Sequence, residues 1–143
     1  MSKQHWWLAF ALGSAGFAGL TAVFGKLGVA GMSSNLATFI RTCVILLFTA
    51  SIVSVRNEWA APDQGSDRSW MFLVLSALAT GASWLCYYRA LQLAPASRVA
   101  PIDKLSVVIA IALGVGILGE PLSWKLAFGG ALIVSGAVLI ATI

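Results

Sequence analysis

Long apolar runs separated by short polar punctuation dominate the chain. Residues 6–25, 70–88, 105–119 and 126–143 carry no charged side chain, and 36–55 carry one, Arg41. With its flanks, each run approaches the roughly 20 residues that a helix rising 1.5 Å per residue needs to cross about 30 Å of hydrocarbon. None alternates apolar and polar positions with the period of two expected of a half-buried strand. In lipid only helices and closed barrels satisfy their own backbone. The pattern therefore predicts an all-α integral membrane protein with transmembrane helices over about 6–26, 36–55, 70–89, 97–119 and 122–142.

The punctuation is consistent with that reading. A Gly/Ser turn, GVAGMSSN at 28–35, separates the first two helices, and ALQLAPAS at 90–97 separates the third from the fourth. Glu120 and Pro121 form the last turn. RNEWAAPDQGSDRS at 56–69, with five charges plus Pro62 and Gly65, reads as a water-exposed loop. Trp6, Trp7 and Trp70 stand at helix starts, where interfacial anchors belong. A cleavable signal peptide is the competing reading of 1–25, but this apolar run is longer than a usual signal core.

Composition agrees: 59% of the 143 residues are apolar, 10% are charged, and mean hydropathy is +0.92. Soluble domains carry roughly 25% charged residues. The net charge of +4 comes from Lys and Arg scattered at helix ends, with no basic stripe for nucleic acid. Cys43 and Cys86 fall inside spans, far from metal-ligand spacing, and no cofactor or metal site is expected. The single histidine, His5, lies in the N-terminal tail, so no Ser/His/Asp set can form within the spans and no enzyme is expected.

Five spans place the termini on opposite sides. Lys3, Arg56, Arg68 and Lys125 share the N-terminal side, while Lys26, Arg89 and Arg98 lie opposite. Lys/Arg bias sets orientation, and four against three is a weak instruction. Either the N-terminus stays inside by one charge, or copies insert both ways and pair antiparallel, building from two chains the inverted repeat that many transporters hold in one. Lys26, Ser34, Ala37 and Arg41 recur 63 positions later as Arg89, Ser97, Ala100 and Lys104. That echo fits either a repeated helical hairpin or coincidence in a biased composition. Small residues recur at four-residue spacing, as at Ala11, Ala15 and Gly19, which favours close helix packing without identifying a dimer face.

Intramembrane charge is the strongest candidate chemistry. An Arg or Asp at mid-bilayer costs roughly 2.5–3.5 kcal/mol on insertion scales, and such residues usually face an interior or a watery cavity. Arg41, Asp103 and Lys104 are the candidates for a substrate or proton site. A structural Asp103–Arg41 ion pair, or snorkelling of the basic chains, is the competing account. On the third helix Ser76, Thr80, Trp84 and Tyr88 follow one another at four-residue spacing and share one face. Thr80 and Trp84 suit a cavity wall. Tyr88, like Tyr87, suits either a substrate contact or an interfacial anchor. Pro101, in the first turns of the fourth helix, leaves carbonyls near Ser97 free.

The stretches RALQLAPASRVAPIDKLSVVIA at 89–110 and LGEPLSWKLAFGGALIVSGAVLI at 118–140 resemble the EamA domain of the drug/metabolite transporter superfamily. The resemblance rests on Ala-Pro-Ala-Ser before the fourth helix, the Leu-Gly-Glu turn and the Gly-rich last helix, and it extends over essentially the whole chain. It implies a permease for small organic metabolites, such as amino acids, in a bacterial inner membrane. Most relatives carry two such domains and ten helices in inverted orientation. One domain here implies half of an inverted-repeat transporter completed by dimerisation. Related small multidrug resistance proteins use a glutamate in their first helix for proton-coupled export, whereas residues 6–25 here hold no acid. The embedded positive charge points instead to an anionic or zwitterionic substrate.

The expectation is a secondary transporter working by alternating access as a homodimer. Arg41 and Lys104 would draw a substrate carboxylate, Asp103 would balance charge or carry a proton, and Trp84, Thr80 and Tyr88 would shape the site. Two rivals remain: a non-transporting membrane subunit that stabilises a partner protein, and one half of a heterodimer with a paralogue.

Overall fold

The computed structural model describes residues 6–59 and 67–142. His5, Lys3, Pro62 and Gly65 lie outside the described residues. The elements are α1 (Trp6–Gly28), α2 (Ser34–Val55), α3 (Asp67–Leu93), α4 (Ala96–Asp103), α5 (Leu105–Leu118) and α6 (Trp124–Ala141), with no strand among the described residues. Taking α4 and α5 as one stretch, five helical segments are long and apolar enough to cross a bilayer.

Local chemistry sets the helix ends. Ser33 caps α2, its Oγ accepting from the Leu36 N–H at 3.3 Å, and Ser123 caps α6 through the Leu126 N–H at 3.2 Å. This places the α6 start at Trp124 instead of 122. At the far end of α2, Asn57 takes the left-handed conformation (φ 53°). The N–H groups of Asn57 and Glu58 return to the carbonyls of Ser54 and Val53, the two-bond pattern of a Schellman turn. The third helix begins three residues before the expected 70 and continues four past 89. Asp67 complements the dipole at its start. Near its end Leu91 is fully buried, and the helix continues until Pro95 disfavours helical geometry at the residue before it.

The fourth span differs most from expectation, because a continuous helix over 97–119 is replaced by two pieces meeting at Lys104. There the N–H of Lys104 bonds the Pro101 carbonyl and that of Val107 bonds the Lys104 carbonyl, both three residues back. Pro101 supplies no N–H, so the i→i−4 ladder is already interrupted just before this point.

The chain folds as two compact units. In the unit of residues 27–93, α2 packs along α3. The Gln92 amide donates to the Met32 carbonyl at 2.8 Å, tying the turn before α2 to the end of α3. The other unit comprises, among the described residues, 6–26 together with 94–142. Within it α6 packs against α4 and α5, and Lys26 Nζ donates to the Ala94 carbonyl at 3.0 Å.

Burial is the reverse of a water-soluble fold. Large side chains such as Phe10, Phe17, Leu27, Phe39, Leu47 and Ile117 stand exposed, and no more than 11% of any span's most apolar stretch is buried. Apolar area stabilises a protein by roughly 25 cal/mol per Å² when removed from water, and here lipid must do the removing. Hydroxyls inside the spans turn back on their own helices. Thr38, Thr42, Thr49, Ser51, Ser54, Thr80 and Ser135 each donate to the carbonyl four residues earlier, at 2.8–2.9 Å.

Candidate functional site

Arg41 lies seven residues into α2, about 10 Å from the helix start at 1.5 Å per residue. A guanidinium at that depth needs compensation, and it finds aromatic faces. Its Cζ sits 4.0 Å from the centroid of the Trp84 ring and 5.6 Å from that of Tyr88, both on α3. These are cation–π distances, worth about 0.5–2 kcal/mol according to desolvation. The one-turn spacing of Trp84 and Tyr88 lets both rings reach the same cation.

Tyr88 is 5% exposed and meets Tyr87 edge-on at 6.3 Å. Buried beside the guanidinium, the Tyr88 ring joins Trp84 in the aromatic cradle. Thr80 lies one turn earlier on the same face, with its hydroxyl donated to the Ser76 carbonyl at 2.9 Å. Among the described residues no carboxylate pairs with Arg41; the ion pairs found are Arg56–Glu58 and Asp103–Lys104. Among the described residues the cation is held by rings and not by an anion.

Asp103 and Lys104 belong to the other unit. They flank the junction of α4 and α5, with Nζ 3.6 Å from Asp103 Oδ2 and both side chains at least a third exposed. The structure thus brings Arg41, Trp84 and Tyr88 together, and separately pairs Asp103 with Lys104 at a helix break.

A concavity elsewhere in the 27–93 unit was not foreseen from the sequence. About 620 Å³ of space is lined by Ser33, Ser34, Asn35, Leu85, Cys86, Arg89 and Gln92, between the start of α2 and the last turns of α3. Arg89 donates to Gln92 Oε1 at 3.0 Å, and Gln92 is itself fixed to Met32. Serine and asparagine clustered before an apolar helix signal a cap, but the meeting of that cap with Arg89 depends on how α2 packs on α3. Among the described residues no His/Cys/Asp/Glu cluster could hold a metal ion.

Comparison with known proteins fits this architecture. Residues 5–142 match the EamA-like transporter family. A Sinorhizobium sp protein described as an uncharacterized transporter in cobO 3'region is 53% identical over 135 residues, covering 94% of this chain and 96% of that protein. No solved structure matches. Five apolar spans and a family match over nearly every residue lead to one conclusion: the chain belongs to the EamA-like transporter family and is a multi-pass membrane protein with a transporter's role.

Proposed function

We propose that this protein is a secondary transporter for a small anionic or zwitterionic organic metabolite, an amino acid being the type, working by alternating access as a homodimer in a bacterial inner membrane. The observation that carries the reading is the Arg41 guanidinium 4.0 Å over Trp84 with no carboxylate partner among the described residues. Aromatic faces hold a cation through their quadrupole without cancelling its net charge. The charge stays available for a substrate carboxylate, and Trp84, Tyr88 and Thr80 shape the space around it. In the other unit, Asp103 at the α4–α5 break is the candidate proton carrier, with Lys104 as its counter-charge.

Dimerisation draws support from the chain's five spans and its nearly balanced Lys/Arg distribution, which would let copies insert both ways.

The test is uptake of a panel of labelled amino and organic acids into proteoliposomes. Arg41→Gln is expected to lower uptake at least tenfold, because a charge-assisted contact contributes about 1.5–3 kcal/mol. Arg41→Lys should recover only part of it, since an ammonium lacks the planar fork. Undiminished uptake in Arg41→Gln would remove Arg41 from the site, and absence of any flux in the parent protein would favour a non-transporting subunit.

A further inference from the structure

We infer that the concavity at the start of α2 is a phosphate-binding site, occupied by the headgroup of an anionic phospholipid. Several hydrogen-bond donors converge there. A helix leaves its first N–H groups without intrahelical acceptors. Ser33 Oγ satisfies that of Leu36, and the Ala37 N–H bonds the Ser33 carbonyl, which leaves those of Ser34 and Asn35. The dipole of a 22-residue helix adds partial positive charge at the same point.

An independent observation comes from Ser34. It is 7% exposed, it lines the concavity, and its hydroxyl has no hydrogen-bond partner among the described residues. Among the described residues no side-chain oxygen is buried without a partner, so what Ser34 leaves accessible is its hydroxyl, open to the concavity and able to bond a group that enters it. Opposite it stands Arg89, an exposed full cation set in place by Gln92, and no carboxylate is among the lining residues.

Size and position favour a lipid over free phosphate. The space of about 620 Å³ far exceeds one phosphate ion and runs onto the apolar wall of Leu85 and Cys86. Its polar end is formed by the first turn of one span and the last turns of another, the level at which headgroups lie. The proposal is independent of the transport reading, because occupancy is measured without flux.

Cys86, exposed and in the wall, reports that occupancy. In delipidated Cys43→Ser protein, the reaction rate of Cys86 with a small maleimide is followed in micelles. Phosphatidylglycerol, phosphatidylcholine and inorganic phosphate are each titrated in. Phosphatidylglycerol is expected to slow labelling several-fold. Arg89→Gln should require about tenfold more lipid for the same protection, as for loss of a charged hydrogen bond. Arg89→Lys, which also guards against a misfolded glutamine variant, should keep most of the protection, and Ser34→Ala should fall between. Protection by inorganic phosphate, also lost in Arg89→Gln, would support the phosphate site and assign it to a soluble phosphate group. Equal protection by both lipids that survives Arg89→Gln would mean mere coverage by acyl chains and overturn the proposal, as would labelling that no probe slows.

Discussion

A cation placed about 10 Å along a membrane helix is ordinarily offset by an anion, yet Arg41 is offset by rings. That choice has measurable consequences at Trp84. Trp84→Leu keeps apolar bulk but removes the quadrupole. It is expected to lower thermal stability in detergent by about 0.5–2 kcal/mol and to raise the KM for uptake more than it lowers kcat. Trp84→Phe should recover part of both effects. Thr80→Val is expected to leave uptake nearly unchanged, because the Thr80 hydroxyl already donates to Ser76 and offers the site shape rather than a proton. The sequence pointed to Arg41 and to the Thr80–Trp84–Tyr88 face separately, since a lone charge in an apolar run and a four-residue spacing are both visible in one dimension. That Tyr88 would be buried beside Arg41 was not legible. A tyrosine near a helix end reads equally as an anchor, and only the packing of α2 on α3 reveals which side chain it meets.

Among the elements, long apolar runs made the five spans legible, while the departures occur where single residues act on the backbone. Pro95 could have marked the end of α3, but the ALQL segment before it lacks charge and reads as turn or helix alike. The break at Lys104 was harder still, because a proline in a helix's first turns is normally tolerated. Glycines separate cleanly by what surrounds them. Gly119 has φ +70° at the end of α5, so Gly119→Ala is expected to cost about 1 kcal/mol by thermal unfolding in detergent. Gly130 is helical, and an added methyl would meet only Ile111 Cδ1 at 3.8 Å, an ordinary contact. Gly130→Ala is therefore expected to be neutral or to gain up to about 1 kcal/mol from helix propensity.

At the scale of the molecule, the nearly even distribution of Lys and Arg bears on how copies assemble. Reporter fusions at the C-terminus are expected to show two populated orientations. Adding two lysines to the 56–69 loop should fix one orientation and, if the working unit is antiparallel, abolish uptake. A single orientation in the parent protein would instead favour pairing with a paralogue. The hydroxyls folded back onto their helices carry one further implication for the solute. At Thr42, next to Arg41 in the chain, the proton is engaged by the Thr38 carbonyl, so what this hydroxyl can still offer is lone pairs. Lone pairs welcome an ammonium and give a carboxylate nothing, while the guanidinium does the opposite. A molecule bearing both signs would find a complement for each end, and its deaminated analogue for only one; the ratio of their uptake rates is the quantity to measure.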